Sequence, residues 1–248
     1  MQELTATPLV KVPLLLVAAR LTVLVFSGSP TSAVPPGERK AYEGIKDPAR
    51  FIRIHNKSVL WVITVICYGT AICESMVILA KSYPSATSDA LKTLLVGAPL
   101  RSSYNIRITP CWLVGCLAMI LGALMRLACY RTLGPLFTFR LSVKKGHTLI
   151  TTGLYSVVRH PGYAALLLVS PGVIVSHFGP GTWYSECIGW GTWGSWAYTT
   201  VCAAWMASLP LVAIARVPIE DEVLRKEFGG EWEMYARRTP YRLLPYVY

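Results

Sequence analysis

Residues 146–163 read GHTLITTGLYSVVRHPGY, and they lie between two apolar runs, each about long enough to cross a bilayer. This segment carries His147 and His160, Arg159, Tyr155 and Tyr163, three glycines and Pro161, and it follows Lys144 and Lys145. Polar, glycine-punctuated backbone at a membrane surface is costly unless protein buries it or it lines a cavity. The segment therefore reads as a pocket at the membrane–water boundary.

Composition sets the class. Of 248 residues, 53% are hydrophobic and 15% charged, and the mean hydropathy is +0.45. An average soluble domain has about 25% charged residues, so the chain reads as an integral membrane protein of single-domain length. The net charge of +11 does not indicate nucleic acid, because no basic arm, zinc motif or stacking motif accompanies it. The cations lie mostly in loops beside apolar runs, where topology and anionic headgroups favour them. The seven cysteines include no CxxC pair, so neither a disulfide framework nor a metal site is expected.

A span needs about twenty residues. Candidates are 8–29, 58–80, 110–130, 162–179 and 191–215, giving an all-α membrane protein of about five helices. Lys11 and Arg20 interrupt the first, for which a cleaved signal peptide is the alternative reading. Lys and Arg number six over 30–57, five over 131–161 and six from Arg216 onward; the stretch 176–190 has none. With five spans the three basic segments share a side, which the positive-inside rule places in the cytosol. The pocket segment and the tail then face the same way. A short interfacial helix is expected at Ala90–Leu100. Trp183, Trp190, Trp193, Trp196 and Tyr198 read as an interfacial aromatic belt.

Near the C-terminus Arg216, Glu220, Leu224 and Phe228 recur every four residues. On a helix they form one slowly drifting row. Leu224 and Phe228 draw Glu220 and Arg216 towards the buried side, while Asp221, Glu222, Arg225 and Lys226 fall away from it. A charged pair on the inward face at the end of a span points to a site. Pro218 either kinks this helix or marks its first turn, and Gly229–Gly230 breaks it before Trp232 and Tyr235. The amphipathic helix is placed at about 216–238. A methyltransferase core over 110–248 and N-terminal spans over 1–109 make up the expected organisation.

Two patterns in order resemble the isoprenylcysteine carboxyl methyltransferases and, more widely, membrane phospholipid methyltransferases. The first is His147-x-Leu149-Ile150-x-x-Gly153-x-Tyr155-x-x-x-Arg159-His160-Pro161-x-Tyr163. The second is Arg216-Val217-x-x-Glu220-Asp221-x-x-Leu224-x-x-x-Phe228-Gly229-x-x-Trp232-x-x-Tyr235. The resemblance runs from about Leu133 onward and is more specific to the superfamily than to the substrate. It implies a non-Rossmann fold that binds S-adenosylmethionine at the cytosolic membrane face of the endoplasmic reticulum. The implied cofactor contacts are His147, Thr148, Leu149, Ile150, Tyr155, His160, Pro161, Gly162, Tyr163 and Glu220. Arg216 matches an arginine placed at the substrate, and Arg159 the arginine of the Arg-His-Pro motif; Arg216, Glu220 and Arg159 form the implied catalytic set. Asp221 stands where the family carries a second Glu, which leaves its role open.

The residue chemistry agrees. A sulfonium cofactor calls for an anion such as Glu220, for rings such as Tyr155 and Tyr163, and for backbone that can approach closely, as at Gly153 and Gly162. A carboxylate acceptor is already ionised and needs no general base, only desolvation and placement within about 3–3.5 Å. An arginine fork suits it. The expected reaction is methyl esterification of a prenylcysteine carboxylate on a membrane-bound protein or peptide, with the isoprenoid tail entering from lipid. Methylation of a phospholipid amine or small lipid acid is the alternative, and the amine would need Glu220 as a base. A non-enzymatic membrane binding protein and a sterol-reductase relative are further readings. His55 and His177 read as structural, and Arg140, Lys144 and Lys145 as topology or headgroup residues.

Overall fold

The computed structural model describes residues 8–27, 39–41, 48, 56–97, 104–137, 142–144 and 148–248. His55, Arg140, Lys145, Gly146 and His147 lie outside the described residues. Helix α1 (Lys11–Ser27) follows a 3-10 turn at Pro8–Val10. Next come α2 (Asn56–Ser82), α3 (Ala86–Leu95), α4 (Pro110–Leu133), α5 (Pro161–Phe178), α6 (Trp193–Phe228) and α7 (Gly230–Arg238). Five of them, α1, α2, α4, α5 and α6, are long and apolar enough to cross a membrane. The expected multi-pass helical class is therefore what the chain adopts.

Two three-residue strands qualify the all-α expectation. β1 (Arg39–Ala41) pairs antiparallel with β2 (Ser142–Lys144), Arg39 opposite Lys144. The pairing requires the connectors after α1 and after α4 to lie at the same end of the bundle. That is the arrangement the charge distribution implied.

The bundle centres on α4 and α5, which approach until backbones touch. A Cβ at Gly122 would sit 2.8 Å from Val169 Cγ2 and 2.9 Å from the Ala165 carbonyl oxygen. One at Gly172 would lie 2.8 Å from the Gly115 carbonyl oxygen and 2.9 Å from Met119 N. Small residues permit this contact where lipid offers no hydrophobic drive between helices. Helices α1 and α2 pack along one side and α6 along the other.

Helix α6 departs from expectation in length. The last span and the acidic helix are one element of 36 residues that continues through Pro210 and Pro218. At 1.5 Å per residue it extends roughly 54 Å, well beyond a hydrocarbon core of about 30 Å. Its final turns, from about Arg216, thus stand at the membrane boundary beside the start of α5. The break falls at Gly229, with φ of +52°, a conformation glycine reaches without a Cβ penalty. Helix α3 starts four residues before its expected position because Ser85 and Ser88 cap each other's backbone N–H groups, a capping box built with Ser in place of Glu.

At the opposite end, Lys11 is fully buried and paired with Glu74 at 2.5 Å. Its ammonium also donates to the carbonyls of Gly181 (2.8 Å) and Arg107 (3.1 Å) and lies 4.6 Å from the Trp112 ring centroid. Glu74 takes the Trp183 backbone N–H at 2.8 Å. A buried charge is tolerable when paired and hydrogen-bonded in this way, so Lys11 does not prevent α1 from packing as a span. Arg20, by contrast, is exposed. The expected aromatic belt is divided: Trp193 and Trp196 face outward, whereas Trp183 packs inward and donates from Nε1 to the Leu95 carbonyl. All seven cysteines are free thiols; burial pushes that of Cys187 up to about 12.

Candidate functional site

The Arg-His-Pro turn starts α5. His160 is the residue before the first helical position, and Pro161 fills that position, where its missing N–H costs nothing. The His160 carbonyl accepts from Tyr163 N and Ala164 N at 3.0 and 3.1 Å. The Arg159 and His160 backbone N–H groups donate to the carbonyls of Tyr241 and Arg242, each at 2.9 Å. The segment after α7 thereby lies along the turn. Ahead of it, a 3-10 helix at Gly153–Ser156 is fixed by the Tyr235 hydroxyl, which donates to the Tyr155 carbonyl at 2.8 Å.

The two carboxylates of α6 meet this turn. Asp221, only 5% exposed, accepts from Arg159 Nη2 at 3.2 Å and pairs with Arg242 Nε at 3.1 Å and His160 Nε2 at 2.9 Å. A carboxylate only accepts, so His160 Nε2 carries the hydrogen. Glu220, whose side chain is 31% exposed, has Oε1 4.0 Å from His160 Nδ1. Its Oε2 takes the Tyr163 hydroxyl at 2.6 Å, and the His160 and Tyr163 rings stack at 5.8 Å. Ala164, Val217 and Leu243 form an apolar floor with Met125, Tyr163 and Leu167 against it.

The expected residues divide into three groups. Arg159, His160, Pro161, Gly162, Tyr163, Arg216 and Glu220 come together, with Arg216 buried one turn before Glu220. Tyr155 joins them: its phenol lies near the Cys129 thiol and feels the Glu220 charge, and burial followed by these neighbours pushes its pKa well above the ordinary tyrosine value. Thr148, Leu149 and Ile150 belong to no helix or strand, Thr148 exposed and the other two half-buried, and no hydrogen bond or ion pair ties them to the cluster among the described residues. His147 lies outside the described residues.

Arg159 has a different setting from the one expected of a substrate-facing arginine. Nη1 donates to the Thr239 and Pro240 carbonyls at 3.1 and 3.2 Å and Nη2 to Asp221, with Trp232 beneath at 5.8 Å. Asp221 corrects the sequence reading outright, since it was placed away from the buried side and instead ties three basic side chains together. A single four-residue row is too narrow; a helical stripe is at least 100° wide and takes in Val217 and Asp221 beside Arg216 and Glu220. Sequence reasoning also passed over Arg126, although an arginine within an apolar span signals a site by itself.

The fold and this cluster define a multi-pass helical membrane protein with a charged side-chain cluster at one end. A model of the isoprenylcysteine carboxyl methyltransferase (ICMT) family matches residues 113–182. A probable protein-S-isoprenylcysteine O-methyltransferase of Oryza sativa subsp. indica is 30% identical over 136 residues, 54% of this chain and 61% of the relative. The protein-S-isoprenylcysteine O-methyltransferase of Saccharomyces cerevisiae is 38% identical over 90 residues, 34% of this chain and 38% of its own length. A probable 7-dehydrocholesterol reductase of Acanthamoeba polyphaga mimivirus is 26% identical over 110 residues, covering 20% of its length. The match thus spans less than two thirds of these relatives.

Proposed function

We propose that the chain transfers a methyl group from S-adenosylmethionine to the C-terminal carboxylate of a prenylated cysteine at the cytosolic face of the endoplasmic reticulum membrane. The observation that supports it most is the meeting of the Arg-His-Pro-Gly-Tyr turn with the acidic end of α6: His160 on Asp221 and Tyr163 on Glu220. Two stretches some sixty residues apart become one cleft at the boundary of the spans.

The side chains fit such a cofactor. Glu220 is the partly exposed carboxylate of the cluster, and its Oε1 is turned past His160 Nδ1 at 4.0 Å, available to a cationic ligand. Tyr155 and Tyr163 add flat rings, and Thr148, Leu149 and Ile150 would contact the nucleoside. The bound cofactor supplies an electrophilic methyl on a sulfonium. Glu220 favours that positive charge, Tyr163 fixes Glu220, and the His160-Pro161-Gly162 turn orders both. Arg216 would orient the acceptor carboxylate through its planar fork. Arg159 acts as a positioning residue, since its donors already bind Asp221 and two carbonyls. The apolar floor and surrounding spans exclude water, which leaves the acceptor carboxylate poorly solvated and nucleophilic. The isoprenoid reaches the cleft laterally from lipid.

Incubating membranes that contain the protein with methyl-labelled donor and N-acetyl-S-farnesylcysteine tests this. Label in an alkali-labile methyl ester supports the reading. A base-stable N-methyl lipid as the labelled product would replace it with amine methylation, and the absence of both would remove the catalytic reading.

A further inference from the structure

Arg126 lies inside α4, seven residues or about 10 Å from its end at Leu133, and is 7% exposed. Its Nε donates to the Tyr130 hydroxyl at 2.9 Å and its Nη1 to the Gly162 carbonyl. Tyr130 passes its own hydrogen to the Val25 carbonyl at 2.6 Å, and its ring lies 5.4 Å from the guanidinium carbon. Every one of these partners is neutral. Among the described residues no ion pair includes Arg126, whereas buried Lys11 has Glu74 and Arg159 has Asp221.

A guanidinium enclosed in a span without a carboxylate is costly. The cost falls when a ligand brings the missing negative charge. The position of Arg126 shows which ligand space it serves. It holds the carbonyl of Gly162, the residue before the Tyr163 that bonds Glu220. Its charge acts on both Tyr155 and Tyr163, and that of Arg216 acts on Tyr163 as well. The cleft therefore has two buried guanidiniums near one tyrosine, and Glu220 is the carboxylate that faces it. Arg126 has five N–H groups; Nε and Nη1 each use one, which leaves three, on Nη1 and Nη2, for a planar anion.

We infer that Arg126 is the counter-charge for a ligand carboxylate in this cleft. The inference rests on the methyl-transfer reading only for the identity of the carboxylates available: that of the prenylcysteine acceptor and that of the methyl donor. The shared chemistry is a carboxylate held by a buried fork beside Gly162.

Purified protein in detergent, with the variants Arg126→Gln and Arg126→Lys, decides it through ligand-induced thermal stabilisation. Gln keeps a donor for the Gly162 carbonyl and loses the charge; Lys keeps the charge and loses the fork. Three acids are compared with their methyl esters: N-acetyl-S-farnesylcysteine, S-adenosylhomocysteine and laurate. The parent should prefer at least one acid to its ester. Arg126→Gln should weaken that acid at least tenfold and leave the ester unchanged, and Arg126→Lys should fall between. A loss confined to the farnesylcysteine pair assigns Arg126 to the acceptor; one confined to the nucleoside pair assigns it to the donor. An Arg126-dependent preference for laurate alone would sustain the inference while the methyl-transfer reading falls. Acids and esters weakened equally, or unaffected in both variants, or no acid preference in the parent, would each overturn it.

Discussion

Two neighbouring carboxylates on α6 are separated in role by their surroundings. Glu220 is partly exposed and makes one short bond to Tyr163, so its removal disturbs little packing. Glu220→Ala should lower methyl transfer at least a hundredfold, about the scale of one lost electrostatic contact at a reacting centre, with the melting temperature within a few degrees of the parent. Retained activity within about twofold would remove Glu220 from the proposed cofactor site. Asp221 is buried and balances Arg159, His160 and Arg242. Asp221→Asn leaves those basic groups without their carboxylate, an imbalance worth about 3–5 kcal/mol when a buried pair is broken. It should lower the melting temperature as well as activity, and Asp221→Glu should recover part of both. Equal thermal stability in the Asn variant would show that the cluster is not holding the turn. Tyr155 adds a pH signature. Burial favours its neutral form, so the stability it contributes is intact below pH of about 10 and is lost as pH climbs beyond. Under the proposed esterification the acceptor carboxylate is ionised well below neutrality. The rate should therefore be flat between about pH 6 and 9, measured as kcat/KM for the farnesylcysteine acid. A steady tenfold rise per pH unit would indicate an amine acceptor instead. At this scale the sequence showed residue types and order, but not the turn of the α6 stripe by which Asp221 faces inward.

Helices were legible to the extent that their signals are periodic or compositional. The apolar runs located all five long helices, because about twenty apolar residues admit few other solutions in a membrane protein. The continuation of α6 through Pro218 was not legible. A proline commonly ends or kinks a helix, and only contact with α5 and the segment after α7 shows that this one continues. The glycines of α4 and α5 illustrate the same limit, since Gly115, Gly122 and Gly172 appear in sequence as unremarkable small residues. Their spacing has meaning only once the two helices face each other. Gly122→Leu would drive a side chain into Val169 and the Ala165 carbonyl, where overpacking costs about 1–3 kcal/mol. Separating α4 from α5 also moves Arg126 from Gly162. Gly122→Leu should therefore weaken ligand binding as well as stability, while Gly69→Leu on α2, where a Cβ meets nothing within 4 Å, should change neither. A stable, fully binding Gly122→Leu protein would mean that the close approach is not required.

Across the whole molecule, the cleft at one end of the spans and the Lys11–Glu74 pair at the other are joined through α1, α2 and α4. The motif-bearing half carried most of the readable signal; the first half was readable only as apolar, because its contribution is to pack. Lys11 shows why. In sequence it is a flaw in a span, and its meaning depends on Glu74, sixty-three residues on, and on carbonyls further still. The four single and double substitutions at this pair test whether it clamps α1 to the bundle. Lys11→Met leaves Glu74 buried with the Trp183 N–H as its remaining polar contact, and should cost about 3–5 kcal/mol. Glu74→Leu leaves Lys11 two carbonyls and the Trp112 ring, and should cost less. The double variant replaces both charges by apolar groups, so it should be more stable than Lys11→Met alone, with a coupling of about 1–3 kcal/mol between the sites. Thermal unfolding of the four proteins in one detergent measures this directly. Strictly additive losses would mean that the two charges do not sense each other, and that α1 is held to the bundle by its apolar contacts alone.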